Sequence, residues 1–369
     1  MNKSLKYVTY QTFPAKTANS LQTISNIKYL VKNNIDVELY FPLREKQSSD
    51  NLEQLQSEYG FKEEFKVFGI RHNYLHGKVK FLKSFWYSIS HFLWSRKTVF
   101  KYFANNTSDN FFTRSDWIAY FLAKQGSKVV FEVHQVSKIR NFVIKKIKNL
   151  ENVKFIFLNQ ELLNYYLNPK QSLVLHNGVD SSLYSNKEII KKENHIIYLG
   201  KVSRFNQPRG INQIIQWFSD NQLNKNFTLE IVGGNKSEIN EIENLIQKLN
   251  LGSVVQIHGW LNRQEAIKKI EYSSIGLLVN SNLNTHSTYY TSPLKYFEYL
   301  FGKLKVIAVD FPSHRALPFN ENISFFNENN KNSFIQAIES LKQISTLSAA
   351  ELSTLTLDQR AKKIIKFIY

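Results

Sequence analysis

Short apolar runs alternate along this chain with segments whose apolar residues recur every three or four positions, a pattern that predicts βαβ units around parallel sheets. Residues 5–10 read as a first strand and 18–34 as a helix with Leu21, Ile24, Ile27 and Val31 on one face. Further strands are expected at 37–41, 128–133, 153–158 and 173–176. A second series starts at His195 and runs through strand 196–200, helix 211–218, strand 229–232 and helix 238–249. Strand 254–258, helix 264–272, strand 275–279, helix 293–300 and strand 306–309 complete it. The simplest architecture is two doubly wound α/β units, residues 1–177 and 195–350, joined by a linker at 178–194. A last helix within 351–369 is expected to pack back on the first unit. Ligands of such folds sit beyond the carboxyl ends of the strands, so the strand-to-helix loops are where chemistry belongs.

Composition narrows the picture. At 369 residues, 43% of them hydrophobic, the chain can bury two cores and is not disordered. It contains no cysteine, which excludes disulfides, zinc–thiolate sites and thiol catalysis. The net charge of +18 sits mostly in the first half. That basicity suits nucleic acid, anionic lipid or an anionic substrate, although heavy use of Lys, Asn and Ile is also what an AT-rich genome produces. No apolar run approaches the roughly 18 residues of a spanning helix, and the start leads into a strand pattern rather than a signal-peptide core. A cytoplasmic location, or one on the inner face of a membrane, is the expectation.

The loop 200–210 ends a strand and opens a helix. Such a turn offers free N–H groups and a positive dipole to phosphate, and Lys201 and Arg209 add two cations able to stabilise a leaving diphosphate, the role a metal plays elsewhere. A solvated basic loop is the plain alternative. In the turn 289–300, Ser292 is expected as an N-cap and Pro293 as the first helical residue. Glu298 falls among Phe297, Tyr299 and Leu300, where a carboxylate is costly unless paired. It either holds ribose hydroxyls or has an Arg or Lys partner.

Taken in order, Leu199-Gly200-Lys201 with Arg209-Gly210, Ile231-Val232-Gly233-Gly234, His258-Gly259-Trp260 and Ser292-Pro293-Leu294-Lys295-Tyr296-Phe297-Glu298-Tyr299 resemble the C-terminal half of retaining GT-B glycosyltransferases, family four in particular. Asn177-Gly178-Val179-Asp180 resembles the segment these enzymes carry at the domain junction. The resemblance implies two Rossmann-like parallel-sheet domains facing across a cleft, a nucleoside diphosphate sugar as donor, and neither metal nor cofactor. It places Lys201 and Arg209 on the donor phosphates, in the reverse of the family's usual Arg-then-Lys order. It places Glu298 on the ribose, and Gly200, Ser292, Pro293, Leu294 and Lys295 around the donor. The first acid of the family's Glu-x7-Glu signature falls on Tyr290.

In the first half, Lys16-Thr17-Ala18-Asn19-Ser20 is similar to the acceptor-side loop of the same enzymes, without their glycines. Asn19 and Ser20 are read as helix caps, and capping alone would explain them. His134 ends a strand and matches the histidine these transferases place against the donor sugar; by itself it reads as a core or surface histidine. Glu132, on the same face, is expected to pair with a cation. Arg114-Ser115 resembles another acceptor-side motif. Between Glu64 and Asp109 there is no carboxylate, and Leu82, Trp86, Ile89, Leu93, Phe100 and Phe103 form a helical seam. Residues 66–103 therefore suit an anionic membrane surface or an ordinary packed helix with a basic face. No nucleic-acid-binding module is apparent.

The reaction implied is transfer of a sugar to a carbohydrate or lipid-linked acceptor, with retention, in cell-surface polysaccharide or glycolipid synthesis. A catalytically silent binding or scaffold subunit and a nucleotide-sugar epimerase are the rivals. A dinucleotide oxidoreductase is disfavoured, because no Gly-x-Gly-x-x-Gly follows the first strand.

Overall fold

The computed structural model describes residues 3–15, 17–73, 83–185, 189–204 and 207–369. Lys16 and Leu82, named above, lie outside them, as do Lys78 and Lys80 of the basic stretch 66–103. Two compact units emerge: Met1–Leu175 together with Leu357–Tyr369, and His176–Thr356. The stretch read as a linker, 178–194, belongs to the second unit.

The first unit is built from β1 (Lys3–Val8), α1 (Ala18–Lys32), β2 (Ile35–Leu43), α2 (Leu52–Tyr59), β3 (Lys66–Arg71), α3 (Lys83–Tyr102), β4 (Asn110–Thr113), α4 (Asp116–Lys124), β5 (Lys128–Val133), α5 (Lys138–Ile147), β6 (Val153–Phe157), α6 (Gln160–Tyr165) and β7 (Ser172–Val174). Its seven strands are parallel in the order β3-β2-β1-β4-β5-β6-β7, so the direction of winding reverses between β1 and β4. Helix α1 starts where Thr17 accepts a hydrogen bond from the Ser20 N–H. Asn19 and Ser20 thus lie inside the first turn and are not its cap; Thr17, the residue with extended backbone, takes that role.

The predicted seam of α3 is corrected as well. Its buried face carries Ser90, His91, Trp94, Ser95, Thr98 and Val99, while Leu93 and Phe100 are 48% and 54% exposed. Three hydroxyls, those of Ser90, Ser95 and Thr98, share the inner face with Trp94 and His91, while Leu93 and Phe100 point outward.

The second unit comprises β8 (His195–Leu199), a two-stranded ribbon of β9 (Ser203–Arg204) and β10 (Gln207–Pro208), α7 (Ile211–Trp217), α8 (Asn221–Asn224), β11 (Thr228–Val232), α9 (Lys236–Lys248), β12 (Val255–His258), α10 (Arg263–Tyr272), β13 (Ile275–Leu278), α11 (Leu294–Phe301), β14 (Lys305–Val309), α12 (Pro312–Arg315), β15 (Ile323–Phe326), α13 (Lys331–Ser340) and α14 (Ala349–Thr354). Six parallel strands run β12-β11-β8-β13-β14-β15, with the reversal between β8 and β13. Side chains alternate across β8: Ile196 and Tyr198 enter one core, Ile197 and Leu199 the other, as the two-residue period of a strand buried on both faces requires. The last helix, α15 (Leu357–Ile368), returns to the first unit and packs its Leu357, Ala361, Ile364 and Ile368 into the core that contains Ile24 and Ile27 of α1.

Candidate functional site

At the reversal in the second unit, β8 and β13 part. The Leu199 N–H donates to the Tyr299 hydroxyl at 2.9 Å, and that hydroxyl reaches the Leu277 carbonyl at 3.4 Å, so the side chain of α11 closes the split. The chain then turns through Gly200. A Cβ on Gly233, whose φ is +126°, would stand 2.2 Å from the Gly200 carbonyl oxygen. Only glycine lets these two strand ends approach so closely. The loop carries Lys201, which is exposed, to Arg209, whose Nε donates to Asn280 Oδ1 at 2.8 Å from beyond β13. Gly210 is the N-cap of α7, in the left-handed region at φ +84°.

Lys295 completes this crevice. It is only 9% exposed, its Nζ lies 3.8 Å from the centroid of the Tyr198 ring, and no hydrogen-bond acceptor meets it among the described residues. Burial, reinforced by the Arg209 charge and opposed by Glu298, holds its pKa well below the usual lysine range. The site thus contains a buried amine beside a guanidinium, with the first turn of α11 contributing Leu294 and Lys295.

Two expectations change here. Pro293 is itself the N-cap, with extended backbone, and Ser292 does not cap the helix. Ser292 instead joins the segment at Asn177: its carbonyl accepts from Asn177 Nδ2 at 2.6 Å. A proline without an N–H and with an extended ψ can start a helix only by standing just outside it. Glu298 is buried and accepts a hydrogen bond from Arg263 Nη2 at 2.6 Å, which is the cation partner left open above. Tyr290 ends a short π-helical turn, His286–Tyr290.

In the first unit the corresponding reversal holds Asn19, Ser20, Arg114 and His134. The Tyr10 N–H donates to Ser115 Oγ at 2.9 Å across it. Arg114 Nη2 donates to His134 Nδ1 at 2.7 Å and reaches Asn19 Oδ1 at 3.4 Å. A guanidinium can only donate, so Nδ1 accepts and the ring proton sits on Nε2, 3.0 Å from Glu132 Oε2. Burial first, and then the Arg114 charge, push His134 down to about 3, and its ring is neutral at ordinary pH. Glu132 is fully buried and paired with Arg360 of α15. Burial alone would raise its pKa, but Arg360, His134 and Arg114 together hold it far below the usual carboxylate range. The expected cation partner is therefore a residue 228 positions away.

The sequence reading missed Arg360, Asn280, Tyr198 and Arg263. Asn280 follows a predicted strand directly, and the rule that ligands gather beyond strand ends would have found it. For Arg360 and Arg263 nothing local in the sequence signals the partner. Among the described residues no cluster of His, Asp and Glu could hold a metal ion, and no helix is long and apolar enough to cross a membrane.

Residues 183–349 match the family model described as glycosyl transferases group 1. No curated protein matches the chain. Among solved structures, sucrose-phosphate synthase from Thermosynechococcus elongatus is similar at a TM-score of 0.71, with 15% identity over 99% of this chain and 98% of that one. An E. coli structure described as trehalose-6-phosphate bound with UDP-2-fluoro glucose aligns at 0.65, with 10% identity over 99% of each chain. The lipopolysaccharide outer core galactosyltransferase WaaB aligns at 0.66, with 12% identity and 99% coverage of both. At such identities the likeness concerns the fold. The second unit is thus similar to the glycosyl transferases group 1 model, and the chain with its two parallel-sheet units has the GT-B fold of these structures.

Proposed function

We propose that this chain transfers a sugar from a nucleoside diphosphate sugar, bound by the second unit, to a carbohydrate or lipid-linked acceptor bound by the first. The observation that carries the reading is the guanidinium and the buried amine that meet at the β8–β13 reversal. Arg209 is oriented by an amide oxygen that leaves its charge intact, and Lys295 is buried with no acceptor of its own. A diphosphate supplies what both lack. Charge that develops on the leaving phosphate is stabilised by groups already in place, with the N-terminus of α11 and the exposed Lys201 adding to them. The phosphate itself can accept the proton of the attacking hydroxyl, so retention without a metal or a carboxylate nucleophile follows. His134, neutral and held through Nδ1 by Arg114, positions the sugar rather than moving a proton. Glu298 keeps one carboxylate oxygen for ribose hydroxyls while Arg263 holds the other.

On α3, exposed Phe85, Leu93 and Phe100 intermingle with exposed Arg96, Lys97 and Lys101. This face suits an anionic membrane that carries a lipid-linked acceptor in polysaccharide or glycolipid synthesis. The silent-subunit reading draws on Tyr290, which stands where relatives carry an acid.

The test is release of free nucleoside diphosphate from UDP-, GDP- and ADP-sugars, beginning with UDP-glucose because a fold neighbour binds a UDP-glucose analogue. Slow release from one donor, reduced about a hundredfold by Arg209→Ala, is the expected result. Well-folded protein that releases none, and that no donor stabilises against heat, would favour the silent subunit.

A further inference from the structure

Two guanidiniums and one carboxylate are buried together at the carboxyl end of the first unit's sheet: Arg114 after β4, Glu132 on β5 and Arg360 from α15. His134 beside them is neutral. So is Tyr7 of β1, whose hydroxyl burial pushes up to about 12. Asp116 and Arg140, which lie alongside, cancel each other at 2.6 Å. Among the described residues the cluster thus sets two guanidiniums against the single carboxylate of Glu132.

The surplus has an address. Nη1 of Arg114 is buried and meets no hydrogen-bond partner among the described residues, although the residue is only 9% exposed. Nη2 of the same guanidinium reaches Asn19, in the first turn of α1. This helix is 15 residues long and has no acidic residue in its first turn. Thr17 satisfies the Ser20 N–H, while those of Ala18 and Asn19 have no acceptor from within the helix. An unmet guanidinium corner and a helix N-terminus thus converge where the winding of the sheet reverses, and both favour an oxyanion.

We propose that the crevice between β1 and β4 binds a phosphate or carboxylate group belonging to the acceptor, with Arg114 and the first turn of α1 as its receptors. This rests on the reading that the first unit takes the acceptor, and it narrows the acceptor class to anionic sugars or anionic sugar lipids.

The experiment saturates the full-length protein with UDP, so that the cations of the second unit are occupied. It is then titrated with inorganic phosphate and with glucose 6-phosphate, whose binding is read by phosphorus NMR line broadening, and with glucose as the neutral control, read by broadening of its own proton lines. Both phosphate lines should broaden, glucose should not bind, and Arg114→Gln and Asn19→Asp should each weaken binding by about tenfold or more. Asn19→Asp sets a carboxylate in a first turn, where it favours the helix, so it remains informative even if Arg114→Gln fails to fold. Sharp lines with wild-type protein, or broadening that neither substitution alters, overturn the proposal. Broadening that UDP competes away overturns it too, because the anion would then belong to the donor. Phosphate binding through Arg114 in a chain that turns over no donor would refute the transfer reading and keep this site. Turnover onto neutral acceptors with sharp phosphate lines would do the reverse.

Discussion

Each unit places an arginine beside an asparagine where its sheet reverses, yet the two crevices treat charge differently. In the second unit Arg209 is held by Asn280, an amide that orients the guanidinium without neutralising it, and Lys295 adds a buried amine. In the first unit Arg114 touches Asn19 but shares Glu132 with Arg360, and much of its charge is met internally. In the second crevice no carboxylate meets the Arg209 guanidinium or the Lys295 amine among the contacts of the described residues. The first is a buried ion cluster that holds a neutral histidine and one residual positive corner. A positioning amide keeps a cation available to ligand, whereas a positioning carboxylate converts it into structure.

The largest effect that tests this contrast is on stability. Glu132→Gln keeps the shape but leaves Arg114 and Arg360 buried without a counter-ion, and should lower unfolding free energy by about 3–5 kcal/mol. Glu298→Gln should cost clearly less, because the side chain of its partner Arg263 is 33% exposed. Denaturant unfolding of the two variants measures the difference, and equal losses would dissolve the distinction.

Acid should separate the units next. Burial and nearby cations push His134 and His91 down to about 3 and His72 to about 4 in the first unit, and His314 to about 4 in the second. Unfolded chain takes up these protons below about pH 6.5, whereas the folded protein cannot until near pH 3 to 4. Stability is therefore full above that upper value and falls as pH drops through the window, by up to about 2 kcal/mol per histidine at pH 5. With three such histidines against one, the first unit should lose hydrogen-exchange protection before the second. The opposite order would mean that the cluster around Glu132 is no weaker to acid than the surroundings of His314.

The smallest effect separates two cations of one loop. Lys201→Ala, which removes an exposed and screened charge, should slow donor turnover only a few-fold, against the hundredfold expected for Arg209→Ala. Equal losses in a kcat/KM comparison would show that orientation by Asn280 counts for little.

Periodicity alone placed most strands of both sheets, because buried parallel strands are apolar runs whatever surrounds them. It passed over β3, which is interrupted by Gly69, and β4 and β15, each only four residues long. It misjudged α3, since Ser90, Ser95 and Thr98 read as polar although they line the buried face. The cations of loop 200–210 and the need of Glu132 for a partner were legible, because charge type and strand position are local properties.

The sequence by itself determined two doubly wound units, the absence of thiol chemistry, and where along the chain the basic loop 200–210 and the strand-end histidine fall. Tertiary structure alone decided which charges remain available. Arg360 reaches Glu132 only because the chain returns to the first unit after the second is complete, and Asn280 reaches Arg209 only because β8 and β13 are neighbours. Charge is encoded residue by residue; whether it is neutralised depends on distance and burial, which only the fold supplies.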